Sequence, residues 1–190
     1  MASRVVAVCG LSAPPKSTKL LLEGLELSLV ADLQGEDLEP HTWGQPGQGQ
    51  QAFAKLYATL SLTEGALNDA TFLNSLGYPD PEALIASHFE AELLSRHPRD
   101  LLVELNAWRN HASSPMDGVT STILYLSSHG DRLFTPKALE EEAKRLPPAL
   151  RANWHTLKSV WGHRAGDARR PGQEADAVAI ANAITRFMKK

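Results

Sequence analysis

Five apolar residues in a row, Val5-Val6-Ala7-Val8-Cys9, follow Arg4 and stop at Gly10. A strand with one wet face alternates apolar and polar residues. An unbroken Val-rich run therefore suits a strand buried on both faces, the usual condition in a parallel sheet. The next stretch supports that reading. Leu11–Lys19 carries Ser, Pro, Lys and Thr and reads as a loop, after which Leu21, Leu22, Leu25, Leu29 and Leu33 recur at helical spacing through Leu20–Leu33. Strand, polar loop and helix in succession is the signature of the α/β class.

The rest of the chain repeats the theme with an interruption. Gln34–Gln51 is rich in Gly, Gln and Pro and is expected to be an exposed loop. A helical block is expected over about 52–110, its internal starts marked by Asp80-Pro81 and by Pro98 with Asp100. Proline just inside a helix start costs little, because its missing N–H would be unpaired there anyway. Helices inserted between two strands are the usual form of a lid. Ser121–Ser127 (STILYLS) reads as a second strand and ends in the turn His129-Gly130-Asp131. Lys137–Leu146 reads as a charged helix stopped by Pro147-Pro148, Trp154–Trp161 as a third strand, and Glu174–Met188 as a closing helix. The expected architecture is one domain over 1–190: about three parallel strands joined by right-handed crossovers, flanked by helices, with a lid-like insertion.

Ligands of open parallel sheets bind beyond the carboxyl ends of the strands. Asp131 follows the second expected strand and His163 the third. Asp and then His, each after a strand, is the second half of the Ser, Asp, His chain order of α/β hydrolases. In such a pair the carboxylate fixes the imidazole tautomer, and the imidazole shuttles a proton to and from a hydroxyl nucleophile. The bland alternative for Asp131 is turn formation through its own backbone, and for His163 a plain loop residue.

The motifs Gly130-Asp131-Arg132-Leu133-Phe134-Thr135-Pro136 and Gly162-His163-Arg164-Ala165-Gly166-Asp167 resemble the acid and histidine motifs of the homoserine O-acetyltransferase family of α/β-hydrolase-fold acyltransferases. Val5–Gly10 with Leu22-Glu23-Gly24 is similar to the strand and helix that follow the nucleophile's helix in that family, and Arg99-Asp100-Leu101-Leu102 with Ala107-Trp108 to its lid-to-core helix. The resemblance runs over nearly the whole chain and implies a partial α/β-hydrolase fold, its C-terminal half. It implies Asp131 as the triad acid and His163 as the base. It also implies an acyl donor such as acyl-CoA, a hydroxyl acceptor and no bound cofactor or metal. No G-x-S-x-G elbow occurs in the sequence, so the expected chain is inactive alone. A non-catalytic remnant or binding subunit is the alternative. The other is a serine hydrolase using Ser12, which follows the first strand in Gly10-Leu11-Ser12-Ala13-Pro14. Against Ser12, Pro14 and Pro15 restrict the backbone and remove two N–H groups where an elbow must turn tightly. The same prolines remove donors from what is otherwise nearly a phosphate-binding loop, Gly10–Ser17.

Charge and composition exclude more than they assign. A formal net charge of −3 points to neither nucleic acid nor an anionic membrane surface. A single cysteine, Cys9, builds no disulfide framework or Cys-based zinc site. The other six histidines show no zinc spacing. No stretch approaches the ~20 apolar residues of a membrane span, and no signal peptide is evident. A cytoplasmic location is expected. An interior strand such as Arg4–Cys9 would be left with a bare edge in a half-domain, so the expected partner is a second copy of the chain or a complementing N-terminal half.

Overall fold

The computed structural model describes residues 3–33, 46–111, 118–167 and 171–189. In chain order the elements are β1 (Arg4–Val8), α1 (Lys16–Leu33), α2 (Gln48–Ser61), α3 (Glu64–Asn68), α4 (Ala70–Ser75), α5 (Pro81–Ile85), α6 (Ala91–Leu93), α7 (Pro98–Asn110), β2 (Thr122–Ser128), α8 (Pro136–Arg145), β3 (Arg151–Leu157) and α9 (Glu174–Met188). They form two compact units.

The first unit gathers the described residues of Met1–Ala13, Ser61–Ala66 and Ala112–Lys190. Its centre is a three-stranded parallel sheet in the order β1-β2-β3. Val6 pairs with Leu124 and Val8 with Leu126 on one side of β2, while Leu126 pairs with His155 and Ser128 with Leu157 on the other. Residues alternate between the faces of a strand. Leu124 and Leu126 therefore share one face, where they pack with Val6, Val8, Ile180, Ala183 and Phe187 beneath α9. Tyr125 points to the opposite face, where its hydroxyl donates to Glu142 of α8 at 3.0 Å. With helices on both faces, Leu124–Ser128 is buried throughout, which fits the apolar run Ile123–Leu126. β1 is an edge strand among the described residues, and Val5 on it is 40% exposed.

The second unit comprises the described residues of Pro14–Leu60 and Leu67–His111 and is helical. α1 packs against α7, with Leu22, Leu25 and Leu29 of α1 and Leu101 and Leu105 of α7 buried and an Arg109–Glu26 ion pair linking the two helices. Buried Gln50 donates from Nε2 to the carbonyls of Leu93 and Arg96, at 2.8 and 2.7 Å. Asp80 and His97 cap α5 and α7, as the Asp80-Pro81 and Pro98 signals imply.

Three expectations shift. The first helix begins at Lys16, not Leu20. Gln48–Gln51 belongs to α2 instead of the expected loop, of which 34–45 lie outside the described residues. The helix can begin there because the Asp32 carboxylate accepts the Gly49 and Gln50 amides at 2.8 and 2.6 Å, supplying a cap from α1. The third strand runs over Arg151–Leu157, not Trp154–Trp161, so His163 does not follow it directly but lies past a connection, within the 3-10 turn Gly162–Gly166.

Candidate acid–base site

β2 ends at Ser128, and the chain turns through His129 and Gly130, whose φ of 81° favours glycine. The turn delivers Asp131 into the interior at 2% exposure. Oδ1 accepts the amides of Leu133 at 2.9 Å and Phe134 at 2.8 Å, which fixes the carboxylate by local backbone. Oδ2 faces His163 Nδ1 at 3.1 Å. An ionised carboxylate only accepts, so Nδ1 carries the hydrogen and Nε2 is the basic nitrogen of the ring. The Phe134 ring lies 5.5 Å from the imidazole, centroid to centroid, and the His163 side chain is only 11% exposed. The structure brings the two candidates named from the sequence into one hydrogen-bonded pair.

The segment carrying His163 is anchored at several points. Ser159 donates its hydroxyl to Asp176 Oδ2 at 2.6 Å and accepts the Trp161 amide at 3.0 Å. Trp161 Nε1 donates to the Gly172 carbonyl at 3.1 Å, and Gln173 Nε2 to the Arg164 carbonyl at 2.8 Å. Burial raises the Asp176 carboxyl above its ordinary value, with the Ser159 hydrogen bond opposing. No motif in the sequence marks Ser159 or Asp176. Their only signal is a polar residue placed among buried neighbours.

Cys9 also belongs to this site. It directly follows β1 with φ 46°, the one non-glycine residue at positive φ among the described residues, and it is 5% exposed. Burial pushes its thiol up to about 12, and the neighbouring Asp131 charge acts in the same direction. A thiol so held stays protonated and is a poor nucleophile.

Ser12 is brought elsewhere. Its hydroxyl donates to Glu142 Oε2 at 2.7 Å, and its amide lies 3.0 Å from both Glu142 oxygens. Glu142 is itself 2% exposed and takes the Tyr125 hydroxyl as well. The hydroxyl is therefore directed at a buried carboxylate and not at His163. The amide that a phosphate cradle would present is likewise turned on an internal anion. Among the described residues no cluster of three His, Cys, Asp or Glu side chains could hold a metal ion. No described helix is long and apolar enough to cross a membrane.

No family model matches the chain, and no curated protein matches it in sequence. Solved structures do match it in fold. An acetylester hydrolase from Corynebacterium glutamicum superposes with a TM-score of 0.79 at 14% identity, covering 98% of this chain and 54% of that one. The acetyl esterase MekB gives a TM-score of 0.78 at 16% identity, covering 96% and 55%. Homoserine O-acetyltransferase from Bacillus anthracis gives 0.61 at 16% identity, covering 100% and 54%. The fold is that of α/β hydrolases, and the chain spans about half the length of the solved structures it matches.

Proposed function

We propose that this chain carries the acid and the base of a serine-dependent acyl-transfer or ester-hydrolysis site, with Asp131 orienting His163 and His163 moving the proton. The observation that carries the reading is the 3.1 Å contact between Asp131 Oδ2 and His163 Nδ1, made while Oδ1 is held by two backbone amides. That arrangement leaves the carboxylate little freedom except to orient the ring and to stabilise the imidazolium that forms when Nε2 takes a proton. Esterases and an acetyltransferase among the fold neighbours support acyl chemistry of this class. The closer assignment, a relative of homoserine O-acetyltransferases using an acyl-CoA donor and a hydroxyl acceptor, rests on the Gly130–Pro136 and Gly162–Asp167 motifs.

In this reading the nucleophile lies outside these 190 residues. No G-x-S-x-G occurs in them, and Ser12 is engaged by Glu142. In the reaction the missing serine would attack an acyl carbonyl while His163 accepts its proton. The tetrahedral intermediate would collapse with cleavage of the donor's ester or thioester bond, the leaving alcohol or thiol taking the proton from His163. Water or an acceptor hydroxyl would then attack the acyl-enzyme with the neutral His163 as base, and the serine would leave with that proton. Hydrolysis of p-nitrophenyl acetate tests the point. The 190-residue chain is expected to show no steady turnover above buffer. Turnover lost on both His163→Ala and Ser12→Ala would overturn the missing nucleophile and install Ser12.

A further inference from the structure

Two glycines sit immediately before the two residues of the pair, Gly130 before Asp131 and Gly162 before His163. Both have positive φ, 81° and 57°. Both also abut the same short stretch of chain. A Cβ on Gly130 would stand 2.7 Å from Thr63 Cγ2. A Cβ on Gly162 would stand 2.6 Å from the Ser61 carbonyl oxygen and 3.3 Å from the Thr63 nitrogen. We infer that Ser61–Ala66 is a positioning element for the Asp131–His163 pair, wedged against both turns at once, with Thr63 as the residue that links them. The inference rests on the reading of that pair as acid and base.

Thr63 suits this role through both ends of its side chain. Its hydroxyl donates to the Val160 carbonyl, in the connection leading to His163, and accepts the Ala66 amide at 3.1 Å. Its methyl fills the space beside Gly130. A hydroxyl that donates and accepts at once locks χ1, so the methyl cannot retreat from Gly130 without breaking the bond to Val160. The segment itself is held firmly, since Ser61, Leu62 and Ala66 are fully buried. Each turn could relax alone. Tied to one wedge, they keep the carboxylate and the imidazole in register, and displacements near 1 Å are enough to damage such a pair.

The test is an NMR measurement on the folded 190-residue chain, which needs no catalytic turnover. The readout is the rate at which the His163 Nδ1 hydrogen exchanges with water, with melting temperature followed in parallel. Thr63→Val keeps the shape and removes the bond to Val160. It is expected to speed exchange roughly tenfold, the scale of one lost hydrogen bond. Thr63→Ser keeps the hydroxyl and is expected to restore most of the protection. Gly130→Ala, which presses on the Thr63 methyl, is a second probe and is expected to speed exchange as Thr63→Val does. Wild-type exchange in whichever of these two variants folds, with only a lower melting temperature, would overturn the inference and leave the wedge as packing. Asp131→Asn separates the two levels. If that variant leaves the Nδ1 hydrogen as protected as in wild type, the acid–base reading itself fails. If it abolishes protection while Thr63→Val does not, only the positioning role fails.

Discussion

Asp131 is bound by two amides and an imidazole. Cys9 beside it gives the first prediction. With burial and the Asp131 charge holding the thiol near about 12, reaction with a thiol reagent at pH 8 should be at least ~100-fold slower in the folded chain than in denaturant. Equal rates would show that the thiol is as accessible and as readily ionised as in the unfolded chain. Asp176 gives the second. Its folded-state pKa is raised, so the folded chain holds that proton more tightly than the unfolded chain does. The stability this provides is complete below the ordinary value of 3.8 and is lost as pH rises through the raised folded value. Asp176→Asn keeps an acceptor for Ser159 and removes the titration. It should therefore melt higher than wild type at pH 8, with the gain shrinking as pH falls toward 4. A variant that melts lower than wild type at pH 8, by a margin that narrows in acid, would reverse the sign. At this scale Asp131 and His163 were legible because each sits in a short motif downstream of a strand. Thr63, Ser159, Cys9 and Glu142 were not. What distinguishes them is a neighbour far away in the chain, and a single sequence does not display such neighbours.

β2 carries most of the sheet, and its five consecutive buried residues made it readable in advance. Leu126 is fully buried, paired between Val8 of β1 and His155 of β3 and packed in the cluster that includes Ala183 and Phe187 of α9. Leu126→Ala should cost about 2–5 kcal/mol in denaturant unfolding, through lost transfer energy and a residual cavity. A loss under about 1 kcal/mol would mean that the strand is less enclosed than described. β3 was misplaced for a physical reason. The apolar letters of Trp154–Trp161 suggest a strand, but pairing with β2 fixes the register from Ile123↔Arg151 to Ser128↔Leu157. Trp161 is instead an anchor for the His163 turn. The start of α2 escaped notice because its cap, Asp32, lies on a different helix. Asp32→Ala should destabilise the helical unit by about 1 kcal/mol, the usual worth of such a cap, and should increase amide exchange at Gly49 and Gln50 first. Unchanged exchange at those two amides would remove the cap.

At the scale of the molecule, β1 pairs with β2 alone among the described residues, and Val5 on it is 40% exposed. An apolar strand unpaired on one side among the described residues can offer N–H and C=O groups to another chain, and within Arg4–Val8 Arg4 supplies the one charge. The chain also spans about half the length of its structural neighbours. We propose that this edge is where a further strand of the sheet joins, from a complementing segment or from a second copy. At tens of micromolar the isolated chain should elute as dimer or larger in size-exclusion chromatography with light scattering; a cooperatively melting monomer would contradict this. The parallel α/β order was legible from three strand-like runs and the helices between them. How β1 is completed was not, because edge and interior strands share the same apolar letters. The account as a whole turns on whether His163 is the base. The direct measurement is p-nitrophenyl acetate hydrolysis by the chain produced together with the segment that completes its sheet, in the same reading frame or as a separate polypeptide. The account predicts turnover that falls by at least about a hundredfold on His163→Ala, the contribution of a positioned general base. Turnover that survives His163→Ala undiminished would contradict it.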